Sequence, residues 1–182
     1  MELPIKIEQI PALTVLSLRE KISSFPEQGR LWTELRAFME SNSIPISGPG
    51  VAVLHNACDI DVQVCFPIDM SIHIPDQDRF KIETLPSQKM AIITHTDQLH
   101  RIAESYEVIM KWLEDRKMKV VGSSREVYVS LPANLCDNSQ DCAGSGDTTR
   151  IEIQFPLQAI LSSDSQSAVN RCPDPTSCQT HR

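Results

Sequence analysis

The amino-acid sequence predicts an α+β domain in which one β-α-β-β unit occurs twice, placing two main helices on one side of an antiparallel sheet. Three observations carry this reading. Short motifs recur in the same order in the two halves; each half has a central stretch of helical apolar period; each closes on a strict alternation. Lys6-Ile7-Glu8-Gln9-Ile10-Pro11 returns as Lys81-Ile82-Glu83-Thr84-Leu85-Pro86. Trp32 and Phe38 return as Tyr106 and Trp112, and the Gly48–Leu54 segment returns as Gly122–Tyr128. Val62-Gln63-Val64-Cys65-Phe66-Pro67 returns as Ile151-Glu152-Ile153-Gln154-Phe155-Pro156. The offset is 74 or 75 until the last motif, where it becomes 89, so the second copy carries an insertion within Leu131–Arg150.

Each element follows from its residues. The β-branched runs Ile10–Leu18 and Met90–Thr94 predict the opening strands. Leu31, Trp32, Leu35, Phe38 and Met39 recur at three- and four-residue steps, one face of a helix over about residues 27–41. Ile102, Tyr106, Ile109, Met110 and Leu113 do the same over about residues 98–117. Gly48 and Gly122 stand beyond the helix ends, where the chain must turn. Two strands follow in each copy, the last showing period two at Val62, Val64, Phe66 and at Ile151, Ile153, Phe155. Two such units paired about a pseudo-twofold axis leave a ligand cleft between the halves. Residues 1–160 are expected to form the domain, with a mobile, polar, glycine-containing loop over residues 132–150. Residues 161–182 read as a disordered tail, since no Ile, Leu, Met, Phe, Tyr or Trp follows Leu161.

Composition narrows the function classes. The 182 residues carry 17 Lys and Arg against 24 Asp and Glu, a formal charge of −7 that argues against direct nucleic-acid binding. No apolar run approaches a membrane span, and the Met1-Glu2-Leu3-Pro4 start lacks a signal-peptide pattern, so a cytoplasmic protein with reduced thiols is expected. Cys136/Cys142 and Cys172/Cys178 have five intervening residues, outside the usual zinc spacing, and no metal is expected. His95 and His100 flank Asp97 and read as surface at the start of the second helix. No serine-protease-type triad signature, phosphate loop or dinucleotide fingerprint occurs, and no cofactor is expected.

Where the copies differ, function is sought. Ala52 and Leu54 of the first copy are matched by Glu126 and Tyr128 of the second, two residues apart and therefore on one strand face. A carboxylate near the pseudo-axis must pair, protonate or be wetted, and an organic cation would supply the pairing. The plainer alternative is a surface pair with Arg125 or a loop lysine, although neighbours on a strand face opposite ways. Tyr106 and Trp112 are candidate pocket walls, Trp32 a further aromatic for the cleft, Phe38 core, and Glu152 a weaker ligand candidate on an alternating strand.

Taken in order, Ile10-Pro11, Leu31-Trp32, Gly48-Pro49, Asp61-Val62-Gln63-Val64 with Pro67, Arg125-Glu126-Val127-Tyr128 and Ile151–Pro156 resemble the GyrI-like effector-binding domain over about residues 5–158. That family supplies the sensing half of MerR- and AraC-type multidrug regulators and also occurs alone. The resemblance implies a stand-alone ligand-binding domain for a hydrophobic, cationic small molecule, with Glu126 in the pocket. Two departures stand out: His95-Thr96-Asp97-Gln98-Leu99 replaces the family's His-x-Gly-x-Tyr, and Gln63 replaces an acidic residue. Two alternatives stay open. One is a hydrolase of reactive cyclopropane-type electrophiles with Glu126 as base and Tyr128 as acid. The other is a protein-interaction module of gyrase-inhibitor type, using Asp59, Asp61 or the 132–150 loop.

Overall fold

The computed structural model describes residues 4–56, 58–72, 74, 78–130 and 149–158. Eight antiparallel strands form one curled sheet, and two helices pack on one of its faces. In chain order these are β1 (Lys6–Ile10), β2 (Leu13–Lys21), α1 (Gln28–Ser41), β3 (Gly50–Asn56), β4 (Asp61–Pro67), β5 (Phe80–Leu85), β6 (Gln88–His95), α2 (Ile102–Asp115), β7 (Ser124–Ser130) and β8 (Arg150–Pro156). The α+β duplication is as expected, with one addition: each copy carries a further strand, β1 or β5, ahead of the predicted unit.

The strand order β1-β6-β8-β7-β3-β4-β2-β5 reads as a palindrome of the two copies, so the pseudo-twofold axis passes between β3 and β7. Both edges belong to the other half: β1 pairs with β6, and β5 pairs with β2. These two pairings share one continuous register, from Lys6↔Ile92 to Ile10↔Gln88 and on from Leu13↔Leu85 to Leu18↔Phe80. Residues 6–21 and 80–95 are thus two long strands, each bent where Pro11 and Pro86 interrupt the ladder by lacking an N–H. Ser87 spans the corner, donating to the Ile10 carbonyl at 3.0 Å and accepting from Gln9 at 2.9 Å.

The helices end alike. Ser43 and Lys117 take left-handed φ of 54° and 51°, and Ile44 and Met118 donate back to Met39 and Leu113, both at 2.9 Å. This is the Schellman arrangement, which satisfies carbonyls at the helix end. Leu31 and Leu35 of α1 share a core with Leu16, Leu18, Val62 and Val64 of the sheet, and Ile109 of α2 shares one with Ala91, Ile93 and Ile153. The other face buries a smaller apolar group, Val15, Val51, Val53, Cys65 and Leu85. The 132–150 loop, but for its last two residues, and the 161–182 tail, with their four cysteines, lie outside the described residues.

Candidate functional site

The site begins with strand register. Ala52 of β3 lies directly opposite Glu126 of β7, and these are also equivalent positions in the two copies. The pseudo-axis therefore passes between them, and one carboxylate stands on it. Glu126 also faces Ile153 of β8, which fixes it on the helix side of the sheet. Arg125 points to the opposite face, where its Nη2 donates to Gln88 Oε1 at 3.1 Å and to the Pro86 carbonyl at 3.4 Å. The Arg125–Glu126 surface pair is accordingly not formed.

Both oxygens of the carboxylate receive phenols. Tyr106 of α2 donates to Glu126 Oε1 at 2.6 Å, and Tyr128 of β7 donates to Oε2 at 2.6 Å. Such bonds to an ionised acceptor are short and roughly twice as strong as neutral ones. Burial, followed by the neighbouring carboxylate charge, holds both phenols protonated well above the ordinary tyrosine range. Gln28 at the start of α1 donates to the Tyr128 hydroxyl at 3.2 Å, so the cluster joins α1, α2 and β7.

Aromatic rings flank the axis in duplicate. Trp32 meets Phe66 edge to face at 5.2 Å, and the equivalent pair Tyr106 and Phe155 does so at 6.0 Å. Trp32 also packs edge-on against Tyr128 at 5.5 Å. Its ring lies close over Gly50, where an added Cβ would stand 3.1 Å from two ring carbons. Glycine there lets the indole reach the centre of the sheet.

Of the sequence candidates, Glu126, Tyr128 and Tyr106 come together. Trp112 and Glu152 do not join them. Trp112, six residues further along α2, packs with Tyr106 against the same core group but stands under the Arg116 guanidinium, 4.4 Å from the ring centre. Glu152 alternates with the fully buried Ile151 and Ile153, so it projects from the opposite face of the sheet. There it accepts from Gln154 at 3.1 Å and faces Lys6 at 3.9 Å. His95 is buried rather than on the surface, its Nδ1 2.9 Å from Ser105 Oγ and its Nε2 3.1 Å from the Gln98 carbonyl, tying β6 to α2. Asp61 is taken up by a two-bond pair with Arg19 at 2.9 and 2.7 Å, and Asp59 by Lys21 at 3.2 Å. Sequence reasoning missed Gln28, Phe66 and Phe155; the repeat of Trp32–Phe66 as Tyr106–Phe155 was the available signal.

The opposite face holds a separate polar chain, Ser123–His55–Gln63–Glu83, with steps of 3.1, 2.8 and 2.8 Å. Among the described residues no group of three His, Cys, Asp or Glu is placed to hold a metal ion, and no helix is long and apolar enough to cross a membrane.

A curled antiparallel sheet carrying two helices about a pseudo-axis, with one carboxylate and paired aromatics at its centre, defines a class of duplicated ligand-binding folds. The chain belongs to the GyrI-like small molecule binding domain family, whose model matches residues 3–143. Among solved structures it is similar to EcmrR in complex with DNA, at 19% identity and a TM-score of 0.72, covering 88% of this chain and 59% of that one. The EcmrR C-terminal domain alone gives 19% identity and 0.68, covering 88% and 100%. SAV2435 bound to tetraphenylphosphonium gives 11% identity and 0.54, covering 85% and 94%. A hydrolase from Listeria innocua gives 9% and 0.51, covering 85% and 91%. At these identities the likeness is one of fold. The chain spans about three-fifths of the EcmrR chain seen with DNA and the whole of its C-terminal domain. A search of curated proteins finds no match.

Proposed function

We propose that this domain binds a hydrophobic, cationic small molecule at the pseudo-axis, with Glu126 as the charge partner and Tyr106, Tyr128 and Trp32 as aromatic walls. The observation that carries the reading is the lone carboxylate between β3 and β7, set among rings from both copies. A cation about 4 Å from a carboxylate gains roughly 4 kcal/mol at an effective dielectric of about 20, before desolvation is subtracted. Ring faces add about 0.5–2 kcal/mol. The tetraphenylphosphonium named with SAV2435, a neighbour in fold, supports the same ligand class. Both Glu126 oxygens accept phenol protons and each keeps a further lone pair, so the carboxylate is held in place and can still face a cation.

Titration of tetraphenylphosphonium into the wild type and Glu126→Gln, followed by calorimetry, tests the proposal. A 10- to 100-fold loss of affinity is expected, roughly 1.4–2.7 kcal/mol of the gross attraction. Triphenylphosphine oxide, neutral and of similar bulk, should not discriminate between the two proteins. Equal affinity of both proteins for the cation would overturn the assignment of Glu126.

A further inference from the structure

A second asymmetry between the copies lies at the far end of α2. Leu157 donates to the Lys89 carbonyl at 2.8 Å, Gln158 to the Lys119 carbonyl at 2.9 Å, and Val121 to the Pro156 carbonyl at 2.8 Å. These bonds, with the α2 end turn, frame a cavity of about 310 Å³ lined by Lys89, Arg116, Lys117, Lys119, Met118 and Leu157. Four of its side chains are cationic and none is acidic, in a chain whose formal charge is −7.

The first copy has the same backbone scaffold. Ile68 donates to the Thr14 carbonyl at 3.1 Å and Ser47 to the Pro67 carbonyl at 2.9 Å, which are the equivalents of the Leu157 and Val121 bonds. Ser43 ends α1 in the same left-handed turn as Lys117 ends α2. Yet the positions matching Lys89, Arg116, Lys117 and Lys119 are Thr14, Asn42, Ser43 and Pro45. Cations near a helix C-terminus do complement its dipole, but α1 ends equally well without any. The fold therefore does not require the four charges. They repel one another, and among the described residues none of the four forms an ion pair, whereas Arg19, Arg30, Arg79 and Arg101 all do. The Trp112 ring braces the Arg116 guanidinium from behind at 4.4 Å.

We propose that the cavity between the α2 end turn and the β6 and β8 termini is a second binding site, for a small soluble molecule bearing a phosphate or diphosphate group. Lys89, Lys117, Lys119 and the Arg116 fork surround the oxyanion, and Met118 and Leu157 meet the organic part. A planar guanidinium held against a ring offers parallel N–H donors to phosphate oxygens with little conformational freedom to lose.

The probe is inorganic pyrophosphate, titrated into the full chain at about 50 mM salt, where exposed charges are only partly screened. Trp112 fluorescence and calorimetry are the readouts. Saturable binding is expected, weakening as salt rises, and Lys89→Gln/Lys119→Gln should lower affinity at least about tenfold, consistent with loss of two charges from the site. All four cations are exposed, so these substitutions leave the core untouched. Glu126→Gln should bind pyrophosphate as the wild type does, which separates this site from the one on the axis. Absence of saturation by the wild type, or equal binding by the double variant, would overturn the proposal. Co-sedimentation with phosphatidate vesicles, lost in the double variant, would overturn the soluble ligand and assign the site to a lipid headgroup.

Discussion

The chain contains two tyrosines, and both donate to Glu126, so an ultraviolet titration reads the site with no background from other phenols. The perturbation is pH. Ionising either phenol puts a charge where burial denies it solvent, and then sets a phenolate against the carboxylate, a repulsion of about 4 kcal/mol at about 4 Å and an effective dielectric near 20. A free tyrosine titrates near pH 10 and is about nine-tenths ionised at pH 11, whereas burial, and after it the carboxylate charge, keeps both phenols protonated there. The folded protein should therefore show almost no tyrosinate absorbance at 295 nm at pH 11, and the same sample in urea should show both residues ionised. The sign of the linkage follows. Both phenols titrate higher when folded, so their contribution to stability is complete below about pH 10 and is lost as pH rises beyond it. At pH 11 the unfolded chain gains roughly 1.4 kcal/mol per tyrosine, about 3 kcal/mol together. Glu126→Gln removes the repelling charge and should bring tyrosinate absorbance to lower pH. A native protein that ionises like free tyrosine near pH 10 would refute the paired-phenol geometry.

Two further predictions concern the supports of the site. Gly50→Ala places a Cβ 3.1 Å from the Trp32 ring and 3.2 Å from Phe66, so the indole must shift; a loss of about 1–3 kcal/mol in urea unfolding is expected, together with a changed tryptophan emission. Ser105→Ala leaves the buried His95 Nδ1 without its partner and should cost about 1–3 kcal/mol, read as a lower midpoint at unchanged slope.

Much of this architecture is legible in the sequence because a duplicated unit states each element twice. The helical period of Leu31, Leu35 and Met39 and the alternation of Ile151 and Ile153 are local patterns, and the structure buries those residues almost completely. Strands β1 and β5 were hidden by the same logic. Lys6, Glu8 and Gln9 give β1 an exposed, polar look, and its ladder partner β6 lies in the other half of the chain, so no nearby residue announces the pairing. At the site, Glu126 and Tyr128 stand out because their counterparts are apolar. Gln28 does not, because nothing in a helix's first turn shows that it will reach a hydroxyl a hundred residues away. The sequence does not show two further things: that Trp112 stands under Arg116, and that the register setting Glu126 beside Ile153 turns Glu152 to the other face.

The position of the axis has a consequence for how such a carboxylate can arise. A symmetric pair of identical chains joined through the β3–β7 contact would present the same residue from both sides: either two facing alanines, or two glutamates opposed across neighbouring strands. The second arrangement sets like charges about 5 Å apart, roughly 3 kcal/mol of repulsion at an effective dielectric near 20. Joining the copies in one polypeptide lifts that constraint, letting position 52 stay small while position 126 becomes charged. An odd number of negative charges at a dyad is closed to a symmetric pair of identical chains and open to a duplicated one.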